Sequence, residues 1–329
     1  MAATSGASSP TKGDTLSLWL TVRLHPHAPL PSSPFSPSAA PSSSSPFFPA
    51  RAVADLAECL DTPNFIPHIT LLGGGLQHLS VEQITSLIEK AVGVATDEEA
   101  TSAVSRKPKK EWKPFFVRVA EVESGDRPFQ CIYARIRKPG EPAPTPLPSE
   151  PLCGVSAAPK TPPPASHGSI THAQEEAGLR DSPEDLFSLH STLREVLYDA
   201  FDVPYRGDNA SYMPHVSLVY AETAQLSLER RACLAKLLNA TTEEQVAAEK
   251  AAYRTLPGSK DAHAGLAPPD TFLEQFEWAR ERFGKTIRGT FVSVTSIEVV
   301  QTSVGSCADA GRWRILASVP LSRDASENV

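Results

Sequence analysis

The sequence predicts an α+β protein built on antiparallel sheets, and three observations predict it. Strand-like and helix-like segments alternate without the regular spacing of βαβ units, which disfavours a doubly wound parallel sheet. Residues 115–122 and 129–136 flank Ser124-Gly125-Asp126-Arg127, the pattern of a long antiparallel hairpin. An eight-residue strand pattern in the first half also returns, type for type, in the second.

The elements follow in order. Leu16-Ser17-Leu18-Trp19-Leu20-Thr21-Val22-Arg23-Leu24 is a β-rich apolar run and reads as the first strand, after which residues 25–50 are Pro/Ser-rich and read as an insertion. A short amphipathic helix covers 52–60. A second strand at 65–72 is stopped by Gly73-Gly74-Gly75, and the helix after it opens with a Ser80-x-x-Gln83 capping box and buries Val81, Ile84, Leu87 and Ile88. Residues 96–113 are polar and read as loop. The hairpin follows, then a linker from 138 to about 181.

The second half repeats this order, beginning at Ser182-Pro183-Glu184-Asp185. Ser182 suits an N-cap, Pro183 the first helical position, and the two acids the positive end of the helix dipole. Leu186, Leu189, Leu193 and Leu197 then mark one side of a helix to about residue 201. A strand at 212–220, a helix at 227–238, an Ala/Glu/Pro stretch to 269, a helix at 270–283 and strands at 290–301 and 312–321 complete the chain.

Composition bounds the function. The chain has 329 residues and a formal net charge of −7, with 40% hydrophobic residues, enough for a sizeable core. Of its 31 prolines, 8 fall in residues 26–49 and 10 in 139–168, so low-complexity segments interrupt an otherwise ordinary globular composition. The expected organisation is a disordered N-terminus over 1–15 and one domain over 16–329, with insertions at about 25–50, 139–181 and 240–269. No apolar run approaches the roughly 18 residues that cross a bilayer, and no secretory signal is expected at the N-terminus. An acidic chain is a poor holder of long nucleic acid, so any phosphate site must be local. Cys59, Cys131, Cys153, Cys233 and Cys307 lack C-x-x-C spacing and suit reduced thiols of an intracellular protein, with one internal pair left open. His25-Pro26-His27 lacks a third zinc ligand at plausible spacing, and Arg106-Lys107-Pro108-Lys109-Lys110 reads as a solvated basic loop. Neither a P-loop nor a Gly-x-Ser-x-Gly elbow is present.

The repeat carries the chemistry. Phe65-Ile66-Pro67-His68-Ile69-Thr70-Leu71-Leu72 lies over Tyr212-Met213-Pro214-His215-Val216-Ser217-Leu218-Val219, 147 residues later. Side chains alternate along a strand, so His68 and Thr70 share one face, as do His215 and Ser217, while the aliphatic residues between them bury the other. A proline before each histidine suits a strand start or edge. One His-x-Thr in a strand is commonplace, but packing does not require the same imidazole twice. Two imidazoles facing one another suit in-line displacement at phosphorus, one as base and one as acid, with the hydroxyls donating to the equatorial oxygens. No metal is then needed.

The pair His68-Ile69-Thr70-Leu71 and His215-Val216-Ser217-Leu218 resembles the H-x-[ST]-x signature of the two-histidine (2H) phosphoesterases. Tyr212 to Tyr220, Phe129-Gln130-Cys131-Ile132-Tyr133 and Ser17-Leu18-Trp19 are similar to the fungal and plant cyclic nucleotide phosphodiesterases of that superfamily. The resemblance implies a bilobal fold of duplicated, pseudo-twofold antiparallel sheets with flanking helices. It implies cofactor-free hydrolysis of nucleoside 2′,3′-cyclic phosphates to 2′-phosphates, and of ADP-ribose 1″,2″-cyclic phosphate, a by-product of tRNA splicing. The family's catalytic histidines fall on His68 and His215, its phosphate-binding hydroxyls on Thr70 and Ser217, and its nucleotide-contacting aromatics on Trp19 and Tyr220. A monomer with a small-molecule substrate and no stable nucleic-acid partner is expected, intracellular and, by the fungal resemblance, Golgi-associated. Action on RNA ends or 2′–5′ linkages and a binding module without turnover are the rival functions. Alanine at either histidine is expected to abolish turnover and leave folding nearly unchanged.

Overall fold

The computed structural model describes residues 14–22, 50–93, 112–143, 180–201, 211–256, 269–281, 287–303 and 306–321. Seven strands are joined in one antiparallel sheet: β1 (Asp14–Val22), β2 (His68–Leu72), β3 (Phe115–Ser124), β4 (Ile132–Ile136), β5 (His215–Val219), β6 (Phe291–Ser303) and β7 (Arg314–Pro320). Helices α1 (Ala50–Cys59), α2 (Val81–Val92), α3 (Pro183–Leu197), α4 (Leu228–Asn239), α5 (Glu243–Thr255) and α6 (Pro269–Glu281) accompany it, so the class is α+β as predicted. The strand order is β1-β2-β5-β4-β3-β6-β7, and β6 also pairs with β1, so the pairing of six strands returns on itself. Segments from both halves of the chain therefore share one hydrogen-bonded sheet rather than two unconnected ones.

Period-2 alternation separates the faces. Leu18, Leu20, Ile69, Val216, Leu218, Ile132, Ala134, Ile136, Ile297 and Val299 are fully buried in the core. The leucine stripe of α3 is wholly buried at Leu186, Leu189, Leu193 and Leu197, and α2 turns Ile84, Ile88 and Val92 inward, with Val81 and Leu87 only partly covered. The α2 capping box forms as read: Ser80 Oγ accepts from the Gln83 amide and Gln83 accepts from the Ser80 amide.

Three readings are corrected. Ser182 makes no side-chain cap; its amide instead donates to Phe116 O at 2.8 Å, tying the start of α3 to β3. The stretch from 240 is not wholly insertion, because Thr242 and Gln245 form a capping box and start α5, which buries Val246 and Tyr253. Both strands of the repeat begin at their histidines rather than three residues earlier, since Pro67 and Pro214 have no amide to join the ladder. The hairpin turn holds a short 3-10 segment, Pro128–Gln130. Gly125 is required there, because a Cβ would stand 2.2 Å from Gln130 O.

The expected N-terminal disorder over 1–15 bears mainly on residues outside those described, as do the insertion at 25–50, most of that at 139–181, His25, His27, the 106–110 basic cluster and Cys153. Among the described residues no helix is long and apolar enough to cross a membrane.

Candidate active site

The repeat comes together at the middle of the sheet. β2 and β5 run antiparallel and are joined at one pair, Ile69 with Val216. These are the central residues of His68-Ile69-Thr70 and His215-Val216-Ser217. Antiparallel register then sets His68 across from Ser217 and Thr70 across from His215, all four on the face opposite to Ile69 and Val216. Two short strings that are distant in sequence thus form one head-to-tail constellation of two imidazoles and two hydroxyls.

Each imidazole is oriented in the same way. His68 Nδ1 lies 2.7 Å from Ile66 O, and His215 Nδ1 lies 2.9 Å from Met213 O, in both cases the carbonyl two residues upstream. A carbonyl only accepts, so Nδ1 carries hydrogen in both rings and Nε2 is the nitrogen left for proton transfer. The proline between the carbonyl and the histidine supplies no competing donor.

The surroundings differ. His68 is buried and lies flat on Trp19, with ring centroids 3.5 Å apart and planes 7° apart. Trp313 stands edge-on to both rings, at 5.3 Å from Trp19 and 6.3 Å from His68. Phe65 stacks on Tyr220 at 4.0 Å, and Phe129 and Trp313 complete this aromatic wall. Trp19 and Tyr220 are each 3% exposed, so they hold His68 and Ser217 from behind instead of offering open faces. The Tyr220 hydroxyl is in hydrogen-bond contact with Ser217.

His215 has polar company on β4 and β3. Tyr133, in register with Ser217, lies 5.1 Å from the His215 ring, and Arg135 is in register with His215 itself. Tyr133 and Arg135 both donate to Glu123 of β3, at 3.0 and 2.8 Å. Arg135 also reaches Glu121 and Glu141. Sequence reasoning missed Glu123, Arg135 and Trp313. The alternation Glu121, Glu123 against Tyr133, Arg135 in the hairpin was the available signal for the first two.

Burial lowers both imidazoles from the ordinary value. For His68 it is the leading cause, opposed by the Ile66 carbonyl and reinforced by the charge of His215, and the pKa falls to about 3. His215 is lowered too, again chiefly by burial, while the Met213 carbonyl and the Glu123 carboxylate hold it up. This links stability to pH. Unfolded histidine takes a proton near 6.5, whereas folded His68 does not until about pH 3, so its stabilising contribution is complete above 6.5 and lost as pH falls. Between pH 7 and 5 the loss should approach about 1.4 kcal/mol per pH unit below 6.5. Urea unfolding across that range should show it, and His68→Gln, which cannot titrate, should reduce it to the part that His215 contributes. An unchanged slope in the variant would contradict the assignment to His68.

The described cysteines are free and buried, and burial pushes Cys131 up to about 11 and Cys59 up to about 12. Such thiols are not nucleophiles at neutral pH. Among the described residues no cluster of His, Cys, Asp or Glu has the arrangement of a metal site. No family model matches the chain, and no curated protein matches it significantly.

Proposed function

We propose that this protein is a 2H phosphoesterase that hydrolyses nucleoside 2′,3′-cyclic phosphates to nucleoside 2′-phosphates. The observation that carries the reading is the Ile69–Val216 register, which brings both His-x-hydroxyl strings onto one face, each ring held at Nδ1 by a backbone carbonyl. The element order supports a duplicated origin: β1-α1-β2-α2-β3 is followed by β4-α3-β5-α4, two further helices and β6. The pairings are exchanged accordingly, since β1 pairs with β6 and β4 with β3.

The environments favour distinct roles. His68, desolvated against Trp19, is neutral and accepts a proton from water at Nε2. The water oxygen bonds to phosphorus as the P–O3′ bond breaks opposite it, and His215 gives its Nε2 proton to O3′. Thr70 and Ser217 donate to the non-bridging oxygens. Exchange with solvent resets both rings. Activity on ADP-ribose 1″,2″-cyclic phosphate belongs to the same proposal, since that ester presents the same five-membered cyclic phosphate.

Phosphorus NMR of the full chain with 2′,3′-cyclic AMP in excess EDTA tests this. A 2′-phosphate signal is the expected product. A 3′-phosphate would overturn the regiochemistry, and no turnover would overturn the reading.

A further inference from the structure

The two histidine strings have matched neighbours two strands deep. Trp19 of β1 is in register with Thr70 on one side and with Glu298 of β6 on the other. Tyr133 of β4 is in register with Ser217 on one side and with Glu123 of β3 on the other. Directly opposed residues share a face, so each site hydroxyl is backed by an aromatic ring and then by a glutamate.

The two aromatics differ in what they join. Trp19 presents its flat face to His68, and Glu298 behind it accepts from Ser296 and Ser318. Tyr133 is tilted 60° to His215 and its hydroxyl donates a hydrogen bond to Glu123 Oε2 at 3.0 Å. Arg135 fixes the other carboxylate oxygen at 2.8 Å. We propose that Glu123, oriented by Tyr133 and Arg135, is the positioning residue that offsets part of the burial cost of a charged His215 and so makes it, rather than His68, the proton donor of the pair. This rests on the two-histidine reading above.

The charges around His215 are mixed, with an excess of carboxylates. Facing it are Tyr133 and Arg135 of β4, Glu123 of β3 beyond Tyr133, and His68 and Thr70 of β2. Arg135 alone would oppose a protonated imidazole, but Glu121, Glu123 and Glu141 all bind it. Lys138 lies near Glu141 and Asp126 near Tyr133, so carboxylates still outnumber cations in the cluster. The Tyr133 hydroxyl, pushed up to about 12 by burial and then by its bond to Glu123, stays a donor throughout the working range. Glu123 is the one carboxylate that contacts both Tyr133 and Arg135 in the described network.

Histidine ring NMR titration of the full chain, read alongside the pH profile of kcat/KM on 2′,3′-cyclic AMP, tests this. Glu123→Gln keeps one acceptor oxygen, enough for Tyr133, and removes the charge together with the bond from Arg135. It should lower the His215 pKa by about half to one pH unit, move the alkaline limb of kcat/KM by the same amount, and leave the His68 titration in place. Glu121→Gln, a more exposed partner of Arg135 that does not contact Tyr133, should shift His215 less. A Glu123→Gln protein with folded dispersion and an unmoved His215 pKa overturns the proposal, as does an equal shift from Glu121→Gln. The ring titration needs no turnover, so absent activity in the unaltered protein would overturn the functional reading while the titration still decides the electrostatic one.

Discussion

Replacing His215 by asparagine is expected to lower kcat for 2′,3′-cyclic AMP by at least about 10²–10⁴-fold, the usual contribution of a positioned acid or base. Its ring is partly exposed, so the fold should survive with little loss. His68 demands a more careful choice. Alanine there would leave a cavity against Trp19, whose face lies 3.5 Å away, and folding would not be nearly unchanged as the sequence suggests. His68→Gln fills more of that space and retains hydrogen-bonding capacity toward Ile66 O, and it should match the loss of turnover. Single-turnover assays on variants with intact circular dichroism make the check. Near-normal kcat in either variant would exclude two-histidine catalysis.

The largest effect on stability is expected at Arg231. Its guanidinium is fully buried and donates to the carbonyl oxygens of Leu226, Gly125, Arg127 and Ala221 at 2.8 to 3.3 Å. Those carbonyls belong to the β3–β4 turn and to the segment between β5 and α4. Arg231 therefore joins the loop that carries Phe129 to the one that follows Tyr220, which together line the aromatic wall behind the site. Lysine cannot reach four acceptors from one nitrogen, and methionine would leave them all without a partner. Arg231→Lys should cost about 3 kcal/mol and Arg231→Met about 3–5 kcal/mol, because a buried hydrogen-bonded charge network is broken. In a chain of this size that corresponds to a Tm lower by on the order of 10 °C. A Tm within about 2 °C of the parent in Arg231→Met would show that the loops are held by other contacts.

Much of the site could be read before any coordinates. Alternation along a strand is local, so the sharing of a face by His68 and Thr70, and by His215 and Ser217, follows from covalent geometry once the segments are strands. The proline before each histidine likewise sets the strand start. Helix α2 was legible because its signals, the Ser80 cap and the Ile84 and Ile88 spacing, lie within two turns. Helix α5 was not, because an Ala/Glu composition with two buried residues resembles a linker until Tyr253 is seen packed on Phe272 and beneath Arg230.

The sequence by itself determined the α+β class, the duplicated strings and the pairing of an imidazole with a hydroxyl in each. Only the tertiary structure decided that Ile69 meets Val216, that an aromatic box closes on His68, and that Glu123 binds Tyr133 beside the His215 ring. The reason is physical. Periodicity and capping act over a few residues, whereas register between strands 147 residues apart, burial and the charge around an imidazole are sums over the whole packed chain.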